Sequence, residues 1–216
     1  TWQDWYASVE AAHDRLKEHC DVVLAGGLSM GSILATHLAQ NRPDDVDGLV
    51  LYAPTLWMNG WSMPWYARAL RWVYPTRLRI EMNLEERAPY GIKDERIRSF
   101  VVNSMLGPTS TGPEVELVRS VAAATPPKTV QAAVKAVQAY PESEAVAMIK
   151  ALSVPTLLVA GEVDQTGHAA GMRRVADMIA QSTFAVIPGS GHYPWAENPD
   201  EFNRHFFAFL ERHAPT

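Results

Sequence analysis

Apolar residues recur at helical spacing near the start of the chain. Trp5, Val9, Ala12 and Leu16 fall on one face over residues 4–19, with Glu10, Arg15 and Lys17 elsewhere, which predicts an amphipathic helix. The pattern then changes to short, continuous apolar runs at about 21–26, 48–53 (Gly48-Leu49-Val50-Leu51-Tyr52-Ala53), 154–160 and 184–187. Runs of this kind, separated by helical stretches, mark strands buried on both faces of a parallel sheet. Helices are predicted from the first strand to about residue 40, broken by Pro43-Asp44-Asp45, and over about 169–181. A last helix follows Asn198-Pro199, an N-cap and first-turn proline, and runs to about His213. It presents Phe202, Phe206, Phe209 and Leu210 for packing.

The stretch 55–150 reads differently. It holds Trp57, Trp61, Trp65 and Trp72, four of the seven tryptophans, followed by helix-like segments near 94–106, 114–123, 127–139 and 142–151. No strand is convincing there. The expected organisation is an α/β core of residues 1–54 and 151–216, a mostly parallel sheet flanked by helices, with 55–150 inserted as a helical cap. No internal repeat or low-complexity linker interrupts it.

Composition narrows the function classes. With 216 residues, 47% hydrophobic and 20% charged, the chain has the make-up of a water-exposed globular fold. A net charge of -5 and the lack of any Lys/Arg cluster argue against nucleic acid as a partner. No apolar run is long enough to span a membrane and no leader pattern opens the chain, so a cytoplasmic location is the expectation. Cys20, the single cysteine, is expected at the start of a strand as an inert thiol. Oligomeric state is left open.

The most informative local pattern is Gly27-Leu28-Ser29-Met30-Gly31, directly behind Val22-Val23-Leu24-Ala25 and ahead of a helical segment. A strand ending in Gly-x-Ser-x-Gly and opening into a helix is a nucleophile elbow, with the serine forced into a strained backbone conformation at its tip. Side chains at Gly27 or Gly31 are expected to collide across the turn. A serine nucleophile needs a base, and the base an orienting acid, here in the order Ser, Asp or Glu, His. The third strand ends Gly161-Glu162-Val163-Asp164 and the fourth ends Pro188-Gly189-Ser190-Gly191-His192. In a parallel sheet all carboxyl ends share one edge, so Ser29, Asp164 and His192 can converge there. Glu162, before the loop tip, is the fallback acid. His168 follows Asp164 by four residues but has no further ligands at metal spacing, so no metal is expected. His13, His19, His37, His205 and His213 read as solvated. Neither Gly-x-Gly-x-x-Gly nor Gly-Lys-Ser/Thr occurs, which excludes the common nucleotide sites.

These stretches, together with Val50-Leu51-Tyr52-Ala53-Pro54, Pro155 to Asp164 and Gly191-His192-Tyr193-Pro194-Trp195-Ala196-Glu197-Asn198-Pro199, resemble the α/β-hydrolases, in particular the bacterial carboxylesterase and monoacylglycerol-lipase branch. The resemblance covers the chain outside the insert. It implies a serine hydrolase working through an acyl-enzyme on a small-molecule ester, with no metal or organic cofactor. Ser29 is the implied nucleophile, His192 the base and acid, Asp164 the orienting acid, and the Met30 N–H an oxyanion donor. Trp57, Trp61 and Trp65 are candidates for an acyl pocket over Ser29, or equally for the core of the insert. Such enzymes carry several strands and a helix ahead of the helix that opens this sequence, and one of those loops usually holds the second oxyanion donor. On that pattern the chain is expected to be part of a longer protein, with an apolar edge on the elbow strand. Acyl transfer by the same triad, and ligand binding without catalysis, are the competing functions. The absence of an aspartate at position 29 argues against dehalogenase or epoxide-hydrolase chemistry, which needs a carboxylate there.

Overall fold

The computed structural model describes residues 2–54, 105–126, 141–164 and 169–213, together with 103, 129 and 132. Its elements are α1 (Trp2–Lys17), β1 (Leu24–Leu28), α2 (Gly31–Asn41), β2 (Gly48–Tyr52), α3 (Pro113–Ala124), α4 (Glu142–Lys150), β3 (Thr156–Gly161), α5 (Ala169–Ala176), β4 (Ser182–Ile187), α6 (Pro194–Glu197) and α7 (Pro199–His213). The four strands form one parallel sheet in the order β1-β2-β3-β4. Leu28 pairs with Tyr52, Tyr52 with Val159, and Gly161 with Ile187, so all four carboxyl ends lie along one edge.

The central strands are buried on both sides, as their apolar runs require. Leu49, Leu51 and Leu158 pack on one face with Ile33, Leu38, Met148, Ile149, Val175 and Ile179 from the helices. Val50, Leu157, Val159 and Ile187 pack on the other with Phe202 and Phe209. Period-two alternation sends neighbours along one continuous run into two different cores. The expected packing of α7 is present: Phe202 and Phe209 are buried, and Phe206 and Leu210 sit against the same cluster. Asn198 Oδ1 accepts from the Glu201 N–H at 3.4 Å, capping the helix as its sequence predicts.

Several expectations are corrected. The first strand begins at Leu24, not near 21, and extends through Gly26-Gly27-Leu28. Asp47 sets this start. Its carboxylate accepts from the Val23 N–H at 2.7 Å and its own N–H donates to the Val23 carbonyl at 2.9 Å, so pairing with β2 begins only beyond that clamp. Among the described residues β1 pairs with β2 alone. Helix α5 ends at Ala176, five residues early, where Met178 and Ile179 close tighter i→i+3 turns. Cys20 is exposed and lies ahead of the strand.

The inward face of α1 is also rotated from the expected one. Tyr6 and Val9 pack against the core and His13 is buried, whereas Leu16 is 49% exposed. Aromatic side chains with polar atoms at 6 and 13 carry this face, which a count of purely apolar positions overlooks. His13 is therefore not solvated; its Nε2 lies 3.2 Å from the Asp45 carbonyl oxygen. Tyr6 accepts from Asn41 Nδ2 at 2.9 Å, and Arg42 pairs with Asp14 and Glu10, joining α1 to the end of α2.

His37 on α2 is half-buried and stacks on Trp2 with centroids 5.2 Å apart. Burial pushes its pKa down, against a weaker opposing pull from Glu144. The unfolded chain therefore binds a proton more readily here than the folded one. The stability held by neutral His37 is complete above about pH 6.5 and is lost as pH falls from there toward the lowered folded value. Chemical denaturation at a series of pH values is expected to show this loss, and His37→Gln to remove that part of the slope.

Predicted helices at 114–123 and 142–151 are present as α3 and α4. Trp57, Trp61, Trp65, Trp72, His168, the segment 94–102 and most of 127–139 lie outside the described residues. No helix among the described residues is long and apolar enough to cross a membrane.

Candidate active site

The elbow forms as its sequence requires. Ser29 has φ of 50°, one of two non-glycine residues with positive φ among the described residues, the other being Ala53 just after β2. Such a conformation persists only where the surroundings over-determine it. Here the Ser29 N–H donates to the Tyr52 carbonyl at 2.8 Å, and the Ser29 carbonyl accepts from the Ser32 N–H at 3.1 Å. The buried Ser32 hydroxyl reaches back to the Gly27 carbonyl at 2.8 Å, drawing the first turn of α2 onto the end of β1.

That closeness explains one of the two motif glycines. A Cβ at Gly27 would stand 2.6 Å from the Ser32 nitrogen and nearer still to the Gly31 carbonyl group. At Gly31 the expectation fails among the described residues: a Cβ there meets none of them within 4 Å, because it points away from the turn whose backbone crowds Gly27. Met30 has helical dihedrals and caps α2. Its amide is among the helix-starting N–H groups that lie beyond the reach of the i→i−4 ladder, where an anion is best received.

On the other side of the edge, Asp164 and His192 meet. His192 Nδ1 lies 2.8 Å from Asp164 Oδ2, with the two side chains 5% and 0% exposed. A carboxylate can only accept, so the neutral ring carries its proton on Nδ1, leaving Nε2 unprotonated, as a base must be. Three backbone bonds hold these loops, two between them and a third from the histidine loop to Met105. Glu162 N–H donates to Ile187 O at 3.0 Å, Val163 N–H to Ser190 O at 3.0 Å, and His192 N–H to Met105 O at 2.7 Å. Glu162, the fallback acid, is engaged elsewhere, accepting from the Gly189 N–H at 2.9 Å. Ser29 stands at the tip of β1, two strands from the end of β3. Strand spacing makes that separation about 10 Å, a gap that a histidine on a returning loop can bridge.

Sequence reasoning missed three contributors: the Tyr52 carbonyl that holds Ser29, the Met105 carbonyl that holds His192, and Glu197, whose carboxylate accepts from the Gly191 and Tyr193 N–H groups on either side of His192. The first two act through main chain and leave no side-chain signature. Glu197 lies within the stretch that resembles the hydrolases, and its side chain alone carries no mark of its partners. Among the described residues no three His, Cys, Asp or Glu side chains gather as a metal-holding group.

Residues 1–199 fit the serine aminopeptidase, S33, family. The chain belongs to that family of α/β-hydrolases. It is 46% identical over 44 residues to a thermostable monoacylglycerol lipase of a Bacillus species, covering 20% of this chain and 18% of the lipase. It is 25% identical over 192 residues to a pimeloyl-acyl-carrier-protein methyl ester esterase of Pectobacterium carotovorum, covering 86% of this chain and 69% of that one. A thermophilic esterase from Thermogutta terrifontis, solved with malate bound, superposes with a TM-score of 0.65 at 26% identity, over 89% of this chain and 66% of its own. The chain thus spans 66% of that solved esterase and 18% of the lipase.

Proposed function

We propose that this hydrolase cleaves carboxylic esters with an apolar acyl or alcohol part through an acyl-enzyme on Ser29. The observation that carries the reading is the buried His192–Asp164 hydrogen bond at the sheet edge that also holds the strained Ser29. Ser29 Oγ attacks the ester carbonyl while His192 Nε2 takes its proton. The Met30 N–H, at the start of α2, receives the oxyanion. Collapse of the tetrahedral adduct expels the alcohol, which takes the proton from His192. Water, deprotonated by the same nitrogen, then attacks the acyl-enzyme, and the acid leaves with Ser29 restored. Asp164 keeps the imidazole in its Nδ1–H tautomer and stabilises the imidazolium that forms twice per cycle.

An ester fits the substrate better than a peptide because a lipase and two esterases stand among the relatives, although the family's own description names an aminopeptidase. We further propose residues 1–54 and 151–216 as the core and 55–150 as an inserted cap. Trp57, Trp61 and Trp65, which begin just past the carboxyl end of β2, would line the acyl pocket.

The test is a fluorophosphonate followed by intact mass and peptide mapping. One adduct on the peptide bearing Ser29, absent from Ser29→Ala, is the expected result, with hydrolysis of p-nitrophenyl esters exceeding that of the matching anilides. A folded protein that takes up no adduct rules the reading out.

A further inference from the structure

Donors from two distant stretches of chain converge on the carboxylate of Glu197, the last residue of α6. Oε2 accepts from the Gly107 N–H at 2.6 Å, from the Gly191 N–H at 3.0 Å and from the Ser110 hydroxyl. Oε1 accepts from the Tyr193 N–H at 2.9 Å. Gly107 and Ser110 belong to the turn ahead of α3. Gly191 and Tyr193 are the residues on either side of His192.

The two stretches also touch directly. The His192 N–H donates to the Met105 carbonyl at 2.7 Å, and the Tyr193 hydroxyl lies 3.8 Å from Met105 Sδ. A Cβ at Gly191 would stand 2.8 Å from the Gly107 nitrogen and nearer still to the Met105 carbonyl oxygen. Backbone that close needs a bond donor and acceptor arranged between the strands of chain, and Glu197 supplies an acceptor they share.

All four partners are donors in this arrangement. A carboxylate, which only accepts, satisfies them together; an amide would set its own NH₂ against at least one N–H. The ring of His192 is held by Asp164, but its backbone is held by Met105 and, on both flanks, by Glu197. We propose that Glu197 is a positioning residue for His192, clamping the turn at 105–110 and the histidine loop into one body. The inference rests on the reading of His192 as the base.

The experiment compares the full chain, Glu197→Gln and Ser110→Ala. It measures the rate of fluorophosphonate labelling, the His192 Nδ1–H signal by NMR with ¹⁵N-histidine, and the melting temperature. A base displaced by an ångström loses on the order of 10²-fold in rate. Glu197→Gln is therefore expected to slow labelling about 10- to 100-fold and to weaken or shift the Nδ1–H signal in protein that is still folded. Ser110→Ala, which removes one donor of four, is expected to move the same signal less. Folded Glu197→Gln that labels at the wild-type rate with an unchanged His192 signal overturns the role, as does a rate loss no larger than the unfolded fraction. If Glu197→Gln does not fold, Ser110→Ala decides: a shifted Nδ1–H signal supports the clamp and an unshifted one overturns it. A wild-type chain that takes no label while Glu197→Gln still loses the signal ends the hydrolase reading and keeps the clamp. Labelling of both at one rate, with one signal, does the reverse.

Discussion

Asp164→Asn is expected to slow phosphonylation of Ser29 by about 10⁴-fold. The size follows from burial and from the direction of one proton. Asp164 is 2% exposed and its side chain is fully enclosed, so no solvent can take over its task. An asparagine placed 2.8 Å from His192 Nδ1 can present its NH₂ to the ring. The stable tautomer is then the one with the proton on Nε2, where the reaction needs an acceptor. The imidazolium formed during attack also loses the charge that stabilises it. Glu162→Gln is the contrast. Its carboxylate bonds the Gly189 N–H, away from the ring, and the amide oxygen of glutamine can still accept that bond, so most of the labelling rate is expected to survive. Labelling rates at several pH values for both variants check the assignment. A loss concentrated in the Glu162 variant would move the acid to that residue.

Gly27→Ala and Gly31→Ala are expected to part company although they stand symmetrically about Ser29. A Cβ at Gly27 enters the backbone of Gly31 and Ser32, neither of which can yield without unwinding the first turn of α2. The Ser32 hydroxyl bond to the Gly27 carbonyl and the φ of 50° at Ser29 depend on that same approach. A loss of about 3 kcal/mol or more is expected, the upper range for overpacking against rigid neighbours. At Gly31 no described residue stands within 4 Å of the added Cβ, and α2 gains a residue of higher helix propensity at its first position. Equal stability, or a gain of up to about 1 kcal/mol, is expected there. Urea denaturation of the two variants gives both numbers, and equal losses would show that the elbow is not closed in this way.

Much of this molecule was readable before any fold was drawn. Continuous apolar runs at 48–53 and 154–160 can only be satisfied by burial on both faces, and β2 and β3 lie where those runs are. The elbow was readable for the same reason that it is rare: a strand, a serine between glycines and a helix leave the backbone few conformations. Chain order placed Asp164 and His192 after later strands, and parallel pairing brought them to one edge. Their 2.8 Å contact is the consequence.

Other features depended on partners far along the chain. The start of β1 follows from the Asp47 clamp. The inward face of α1 follows from what α2 and Asp45 offer to Tyr6 and His13. Gly27 rather than Gly31 is crowded because the turn folds toward one of them only. Glu197 carries no sequence signal of its own, since a carboxylate's role is set by the donors around it, and two of its four come from residues 107 and 110. Local pattern determines which segments bury themselves and which residue types can carry acyl chemistry, because period, strain and chain order are properties of neighbours in sequence. Which carboxylate meets which nitrogen is decided by tertiary packing, because hydrogen bonds form across a few ångströms of space whatever the separation along the chain.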